Sequence, residues 1–425
     1  MPKYVPITFR YTRYLWKYEL TPAGRMLFFC VVVTSVGLGT VMVPVYQLFC
    51  VLFMAYVVHW LMNLAVRPKL KVEGRLPRRV GVGQELRTDI VLTNLSSWRP
   101  TYDLMLWLID LPPSWRFESA DLALGRLGPG ETARLPLIFR PLSRGLFELP
   151  ELRPHTTFPF NLVRSGSARH ALGAVTVVPS FHPIQSLEIP VGTRYQPGGV
   201  ALSSHVGESP EYIGNREYIP GEPARRLDFR SWARTGKPVV REYQEEYYCR
   251  IALLLDTFVP EPLGAGFQPA KFFKKRQVGS LSHEPLEAAI QLAAAIADSL
   301  AATEHLIDLF AAGSQLYVFR AGRNLAHFDD VLDILAAVDA CPTNPFLMLS
   351  PAIADELSSI TTAILILLDW DDTREVLART ILESGCQLKL VIVRDSATSK
   401  PLPVDLGAVT QLSVASITLG GIERL

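Results

Sequence analysis

Two aspartates stand where a ligand would be met. Asp256 closes the apolar run Ile251-Ala-Leu-Leu-Leu, and Asp369 closes Ala363-Ile-Leu-Ile-Leu-Leu. Short, purely apolar runs read as buried strands of a parallel sheet. In open α/β sheets, ligands lie just outside the carboxyl ends of such strands. The stretch before Asp256 is dense in charge, with Arg216, Tyr218, Pro220, Gly221, Glu222, Arg225, Arg226, Asp228, Arg230, Arg234, Lys237 and Arg241 close together. Its acids (Glu211, Glu217, Glu222, Asp228, Glu242, Glu245 and Glu246) match its Arg and Lys residues in number. Nucleic-acid binding needs an unbalanced basic face, so that class is not expected. The balance instead predicts an ion-pair network around a tight Pro-Gly turn, anchored by Tyr218, Phe229 and Trp232. Arg and aromatics are also favoured at interfaces, so the same clamp could present a partner-binding face. No phosphate loop, zinc-protease helix or nucleophile elbow is present, and the eight histidines are scattered.

The elements that must position these residues divide the chain into several domains, since 425 residues exceed one ordinary core. Hydrophobic residues make up 49% of the chain, and mean hydropathy is +0.20, which points to a membrane segment. The net charge of +1 gives no overall field for a polyanion. The cysteines (Cys30, Cys50, Cys249, Cys341 and Cys386) are too dispersed for a disulfide framework or a zinc site.

From Met26 to Asn63 there is no Asp, Glu, Lys or Arg. As one helix this run would be roughly 55 Å long, too long for a ~30 Å hydrocarbon core. Two spans of roughly 17 residues fit, turning at Gly37, Gly39 and Pro44. Both flanks are basic: Lys3, Arg10, Arg13, Lys17 and Arg25 before, Arg67, Lys69, Lys71, Arg75, Arg78 and Arg79 after. The positive-inside rule then puts both on the cytoplasmic side. Residues 1–66 are therefore expected to be a basic N-terminus and a two-helix membrane anchor.

Residues 67–180 alternate and break at turn signals such as Asn94-Leu-Ser-Ser, Pro112-Pro113 and Gly128-Pro-Gly130. That pattern predicts an immunoglobulin-like β-sandwich, with Trp98, Trp107 and Trp115 in its core or end packing. Residues 181–250 are expected to be a linker, rich in Pro, Gly and Ser up to Gly207, followed by the charged motif. From 251 to 425, strand and helix alternate, predicting a parallel sheet covered on both faces. A loop over residues 260–282 carries Lys271, Lys274, Lys275 and Arg276, a basic tip suited to anionic lipid. Helices are expected over 285–303, 328–338, 347–357 and 373–383.

The runs Arg216-Glu-Tyr-Ile-Pro-Gly-Glu, Arg225-Arg226-Leu-Asp-Phe-Arg, Ala233-Arg-Thr-Gly-Lys and Val240-Arg-Glu-Tyr, then the Leu-Leu-Leu-Asp strand, resemble the bacterial family called domain of unknown function 58. Thr157-Phe-Pro-Phe-Asn-Leu162 resembles that family's segment before its linker, while Glu222 and Phe229 replace its usual Asp and Trp. The resemblance implies an inner-membrane protein with two spans, a β-sandwich and a von Willebrand factor A-like (Rossmann-type) α/β domain in the cytoplasm. It also implies a MoxR-type AAA+ ATPase as partner. A-like domains of this kind hold a divalent ion through Asp-x-Ser-x-Ser, a Thr and a second Asp. Here Asp256-Thr-Phe-Val-Pro260 loses both serines, leaving Asp256, Asp369 and Thr343 as a degenerate site short of the roughly six oxygens Mg²⁺ needs. A relic site is expected, its aspartates bonded to backbone amides at helix N-termini, with no cofactor. The expected function is a non-enzymatic, membrane-anchored adaptor. The alternatives are a metal-dependent ligand-binding or adhesion module and a hydrolase with a concealed site.

Overall fold

The structure is a computed structural model. It describes residues 15–36, 43–119, 122–190, 203–206, 212–219, 227–245, 250–260, 283–302, 306–312, 316–319, 327–346, 350, 353, 356–357, 360–403, 406 and 409–425. The basic loop at 271–276, most of the helix expected over 347–357, and Pro220, Gly221, Glu222, Arg225 and Arg226 lie outside the described residues. The chain forms two compact units, 1–177 and 178–425.

The first unit begins with a π-turn, Leu15–Glu19. Helix α1, Pro22–Ser35, follows, capped by Thr21, whose side chain accepts from the Gly24 amide at 3.0 Å. Pro22 suits the first turn because no amide is wasted there. Helix α2 runs over Val43–Val66. Its 24 residues span about 36 Å, enough for a hydrocarbon core. Helix α1, with 14 residues, is a shorter apolar helix. The two helices therefore differ in length, where two spans of roughly 17 residues each were expected. Val51, Phe53, Met54, Trp60 and Leu64 of α2 are exposed, the surface of a helix that is apolar all round.

Ten strands follow: β1 (Leu70–Glu73), β2 (Arg79–Gly81), β3 (Leu86–Asn94), β4 (Thr101–Leu108), β5 (Trp115–Phe117), β6 (Ala123–Leu127), β7 (Thr132–Pro141), β8 (Gly145–Glu148), β9 (Leu152–Thr156) and β10 (Ala174–Val178). They form sheets of order β1-β3-β7-β5, β2-β10-β8 and β6-β4-β9. Alternate residues of β3 and β7 point inward, so Leu86, Ile90, Leu92, Leu135, Leu137 and Phe139 enter one core together with residues from the other two sheets. Trp115 lies in that core, edge-on to Phe147. Trp98 does not, being 68% exposed beneath the Arg99 guanidinium.

The loop after β9 grips the helices. The Thr21 amide donates to the Leu162 carbonyl, and the Arg164 amide to that of Glu19. A Cβ on Gly24 would collide with the Leu162 carbonyl oxygen, so glycine is required at this close approach. Phe160 meets the ring of His59 on α2, centroids 5.9 Å apart.

The second unit contains a small antiparallel sheet of order β11-β13-β12 (Ser203–Val206, Val239–Glu245 and Tyr212–Glu217), with helix α3, Phe229–Thr235, between β12 and β13 in the chain. It also contains a six-stranded mixed sheet of β14 (Arg250–Leu255), β15 (Leu306–Ala312), β16 (Leu316–Phe319), β17 (Thr362–Leu367), β18 (Gln387–Val393) and β19 (Val409–Leu412), in the order β16-β15-β14-β17-β18-β19. Only the β15–β16 pair is antiparallel. Side chains of β14 alternate between two cores. Ile251, Leu253 and Leu255 pack against α4 (Glu284–Ala302), α5 (His327–Ala337) and Ile417 of α7 (Val414–Thr418). Ala252 and Leu254 face α6 (Asp372–Glu383) with Phe346 and Trp370. Helix α4 is long and apolar enough to pass a membrane-span test, yet it is a core helix with most of its surface buried.

Residues 178–180, expected in the β-sandwich, and residues 181–190, expected to be linker, are part of this second unit. Ile184 is buried in the first of its cores. The Ser186 amide donates to the Glu423 carbonyl at 3.1 Å, and the Leu425 amide returns a bond to the Ser186 carbonyl at 3.0 Å. The Lys389 ammonium donates to the Glu188 carbonyl at 2.7 Å.

Candidate functional site

The strand order reverses between β14 and β17: the chain moves from β14 out to β15, then returns to β17 on the other side. Asp256 and Asp369 follow these two strands and so flank the switch point where doubly wound sheets take their ligands. Asp256 is fully buried, and Oδ2 accepts from the Leu368 amide at 2.9 Å while Oδ1 accepts from the Phe258 amide at 2.9 Å. Those amides belong to strand-end loops, not to helix N-termini. The third donor is the Arg374 Nε, 2.7 Å from Oδ2. Arg374 is 2% exposed, and its ring neighbours are Phe346 and Phe258, with its guanidinium carbon 5.3 and 5.6 Å from their centroids. It is also paired with Asp371, the cap of α6.

Burial pushes the Asp256 carboxyl up, against the pull of Arg374 and the two amides. Burial alone would lower the Arg374 guanidinium, but Asp256, Asp371 and Asp369 together hold it above its ordinary value. Asp369 is raised by burial, yet Ser399, the Trp370 amide and Arg394 outweigh that and hold it below the usual carboxylate range. Its Oδ2 meets the Ser399 hydroxyl at 2.6 Å and Arg394 at 2.6 Å. Thr343 is exposed, and its hydroxyl lies 3.5 Å from the Cys341 sulfur.

This donor set does not fit a divalent ion. The first aspartate's oxygens are taken by a buried cation and two amides, and the second's by a serine and an arginine. Among the described residues no three His, Cys, Asp or Glu side chains cluster as a metal would require. Phe258, standing where the A-type pattern has a ligating serine, is an aromatic wall for the guanidinium. Arg374 and Asp371 were missed in the sequence reading. One signal was available: Arg374, Leu377, Ala378 and Ile381 are all buried, so the arginine occupies the apolar stripe of an amphipathic helix, where a charge needs a partner.

The charged motif folds around Asp228. It caps α3: Oδ1 accepts from the Arg230 amide at 3.1 Å and the Ser231 amide at 3.3 Å, while Oδ2 accepts from the Ser231 hydroxyl at 2.8 Å and the Asn215 Nδ2 at 3.3 Å. Arg241 reaches it from β13 at 3.4 Å. The Ser231 hydroxyl first, and then its amide, Arg241 and Asn215, hold this carboxyl well below the ordinary range despite burial. Gly236, left-handed at φ 71°, ends the helix. The Tyr218 amide donates to the Pro238 carbonyl at 3.0 Å, closing β12 against β13. Lys237 pairs with Glu217 at 3.1 Å, both well exposed; Arg216 bonds the Glu217 carbonyl at 3.3 Å. Neutral donors thus contribute as much to this node as ion pairs do.

Phe229 and Trp232 are not buried anchors. They stack on each other, centroids 6.1 Å apart, at 65% and 37% exposure. The short helix turns Asp228 and Ser231 inward, which leaves Phe229, Arg230, Trp232 and Arg234 facing out.

Residues 214–360 match the family model described as "Protein of unknown function DUF58". This stretch is a DUF58 region. It runs from β12 through α3 and β14 to just before β17, so Asp228 and Asp256 lie within the DUF58 match, while Asp369, Asp371 and Arg374 lie beyond it. No curated protein matches the chain. Among solved structures, native alpha-2-macroglobulin from Escherichia coli, spanning domain MG7 to the C-terminus, is 19% identical, with 38% of this chain and 22% of that chain covered at a TM-score of 0.21. A cryo-EM reconstruction of the native conformation of the E. coli protein gives 19% identity, 37% and 8% coverage, and a TM-score of 0.21. The chain thus spans under a quarter of those structures, and the superposition establishes no shared fold.

Proposed function

We propose that the chain is a non-enzymatic adaptor, anchored in a bacterial inner membrane by α1 and α2, with the strands of the first unit and all of the second unit in the cytoplasm. In this reading the strands of the first unit form an immunoglobulin-like sandwich and the second unit is a von Willebrand factor A-like domain, whose partner is a MoxR-type AAA+ ATPase. One observation carries the protein-binding assignment: the exposed Phe229–Trp232 stack, flanked by Arg230 and Arg234, on a helix fixed by the Asp228 node. Rigid aromatic and arginine side chains are the usual anchors of protein interfaces. The Asp256–Arg374 pair counts against a metal-dependent adhesion module, since an internal cation stands where the ligand's ion would be needed. The basic flanks of the apolar run support the cytoplasmic orientation.

The test is binding of a purified MoxR-type ATPase to the full chain in detergent, with EDTA present. Capture is expected, and Phe229→Ser with Trp232→Ser should weaken it by on the order of a hundredfold, the scale of a lost hot spot. Capture that requires Mg²⁺ on the adaptor side, or that ignores both substitutions, would refute the proposal. Protease added outside intact cells should leave the C-terminal half uncut.

A further inference from the structure

A second cavity, of about 440 Å³, lies within the first unit, at the foot of the membrane helix. Its walls come from the π-turn, the residue that follows α2, strand β4, strand β9 and the loop beyond β9. Four guanidinium groups line it, those of Arg67, Arg153, Arg164 and Arg169, against one carboxylate, Glu19. Arg153 is paired with Glu151 at 3.1 Å. Arg164 lies over the Trp107 ring at 4.3 Å and donates to the Tyr18 and Leu20 carbonyls at 3.0 and 3.3 Å. Arg67 and Arg169 are exposed, and no side-chain hydrogen bond or salt bridge engages either among the described residues. His155 also lines the cavity. It is 8% exposed, and its Nδ1 has no hydrogen-bond partner. His155 thus adds a buried polar side chain to the wall of a basic cavity.

The cations crowd one another. Burial, and then repulsion from Arg25, lowers the Arg164 guanidinium. Burial likewise raises Glu19, partly offset by Arg67. An anion would relieve the repulsion among the guanidinium groups and would push Glu19 further toward its neutral form. Arg67 directly follows Val66, the last residue of α2, so the cavity mouth falls where the hydrocarbon core gives way to headgroups. The loop on its other side reaches back to α2 through Phe160 and His59, roughly 11 Å inside the helix end at 1.5 Å per residue.

We propose that this cavity binds the phosphate of an anionic phospholipid headgroup, with Arg67 and Arg169 as its free guanidinium forks and His155 as a further polar contact. The inference rests on reading α2 as a membrane span. Guanidinium forks match phosphate oxygens in pairs, and basic pockets beside cytoplasmic helix ends suit anionic lipid.

Native mass spectrometry of the full chain in mild detergent tests this, with phosphatidylglycerol, phosphatidylcholine and inorganic phosphate added in separate arms. The wild type is expected to retain phosphatidylglycerol over phosphatidylcholine by on the order of tenfold, the effect of about two surface arginines. Arg67→Gln with Arg169→Gln should abolish that preference; Arg164 is left intact because it holds the N-terminal turn. An unchanged melting temperature in the double variant shows that it folds. Equal retention of the two lipids, or a preference unchanged in the variant, overturns the proposal. Saturation by inorganic phosphate with no lipid retained overturns the lipid assignment. Alkaline carbonate extraction separates the two layers of argument. A chain that resists extraction yet shows no lipid preference sinks the cavity alone, whereas a chain released to the soluble fraction sinks the membrane reading with it.

Discussion

Arg374 supplies one positive charge on a planar fork, where a hard divalent ion would demand about six oxygens and an open coordination sphere. A buried carboxylate beside it is tolerated only while that charge is present. Arg374→Leu should therefore destabilise the second unit by about 3–5 kcal/mol, the cost of leaving a buried charge unpaired. Replacing both members, Asp256→Leu with Arg374→Met, should recover most of the loss. Urea denaturation followed by tryptophan fluorescence reads this out, because Trp370 is 1% exposed in the adjoining core. An Arg374→Leu curve superimposable on wild type would show that the pair is incidental.

His155 makes a second prediction. Burial, partly offset by a bond to the Arg153 backbone and reinforced by the Arg164 charge, lowers its pKa from 6.5 to about 4. The unfolded chain takes up the proton first, so the fold is favoured fully above pH 6.5 and loses this contribution as pH falls toward 4. The loss amounts to about 3 kcal/mol. The melting temperature of the first unit should fall over that window, and His155→Gln should flatten the fall. Asp256 itself was legible from sequence, because an apolar run stopping at a carboxylate has one natural reading. Its partner was not, since the two lie 118 residues apart and only the folded sheet joins them.

Among the elements, the buried strands were the easiest to read. Residues 251–255 and 363–367 are apolar on both sides, and 388–393 is so except at Lys389, because helices cover both faces of their sheet. The aromatic pair on α3 was misplaced for a physical reason: composition tells that Phe229 and Trp232 are apolar, while the Asp228 cap decides which way the helix turns. Residues 181–190 were expected to be linker because Pro, Gly and Ser suggest a loop, yet a loop can still lend its backbone to another segment. Ser186 bonds Glu423 and Leu425, Thr362 bonds the Pro190 carbonyl, and Ile184 fills the core. A fragment starting at 178 should therefore fold alone. One starting at 191 should be weaker by several kcal/mol, on the order of 5, from the burial of one large aliphatic side chain together with the lost hydrogen bonds of Ser186, Glu188 and Pro190. Differential scanning calorimetry of the two fragments checks this, and equal melting temperatures would contradict it.

At the scale of the molecule, two units with separate cores share one chain, and each joins residues that are far apart in sequence. In the first, Leu20 bridges Val163; in the second, Ser186 bridges Arg424. The ribosome makes these joins in order. The strand-rich first unit has its last strand by residue 178 and can close while the remainder is still being translated. The sheet-and-helix unit has no such option: its opening segment must wait for residues 423–425 to emerge before the final backbone bonds can form. Nascent chains of this protein therefore pass, from residue 178 to residue 425, through an interval with a finished first unit and an unclosed second one, in which protection from aggregation matters most.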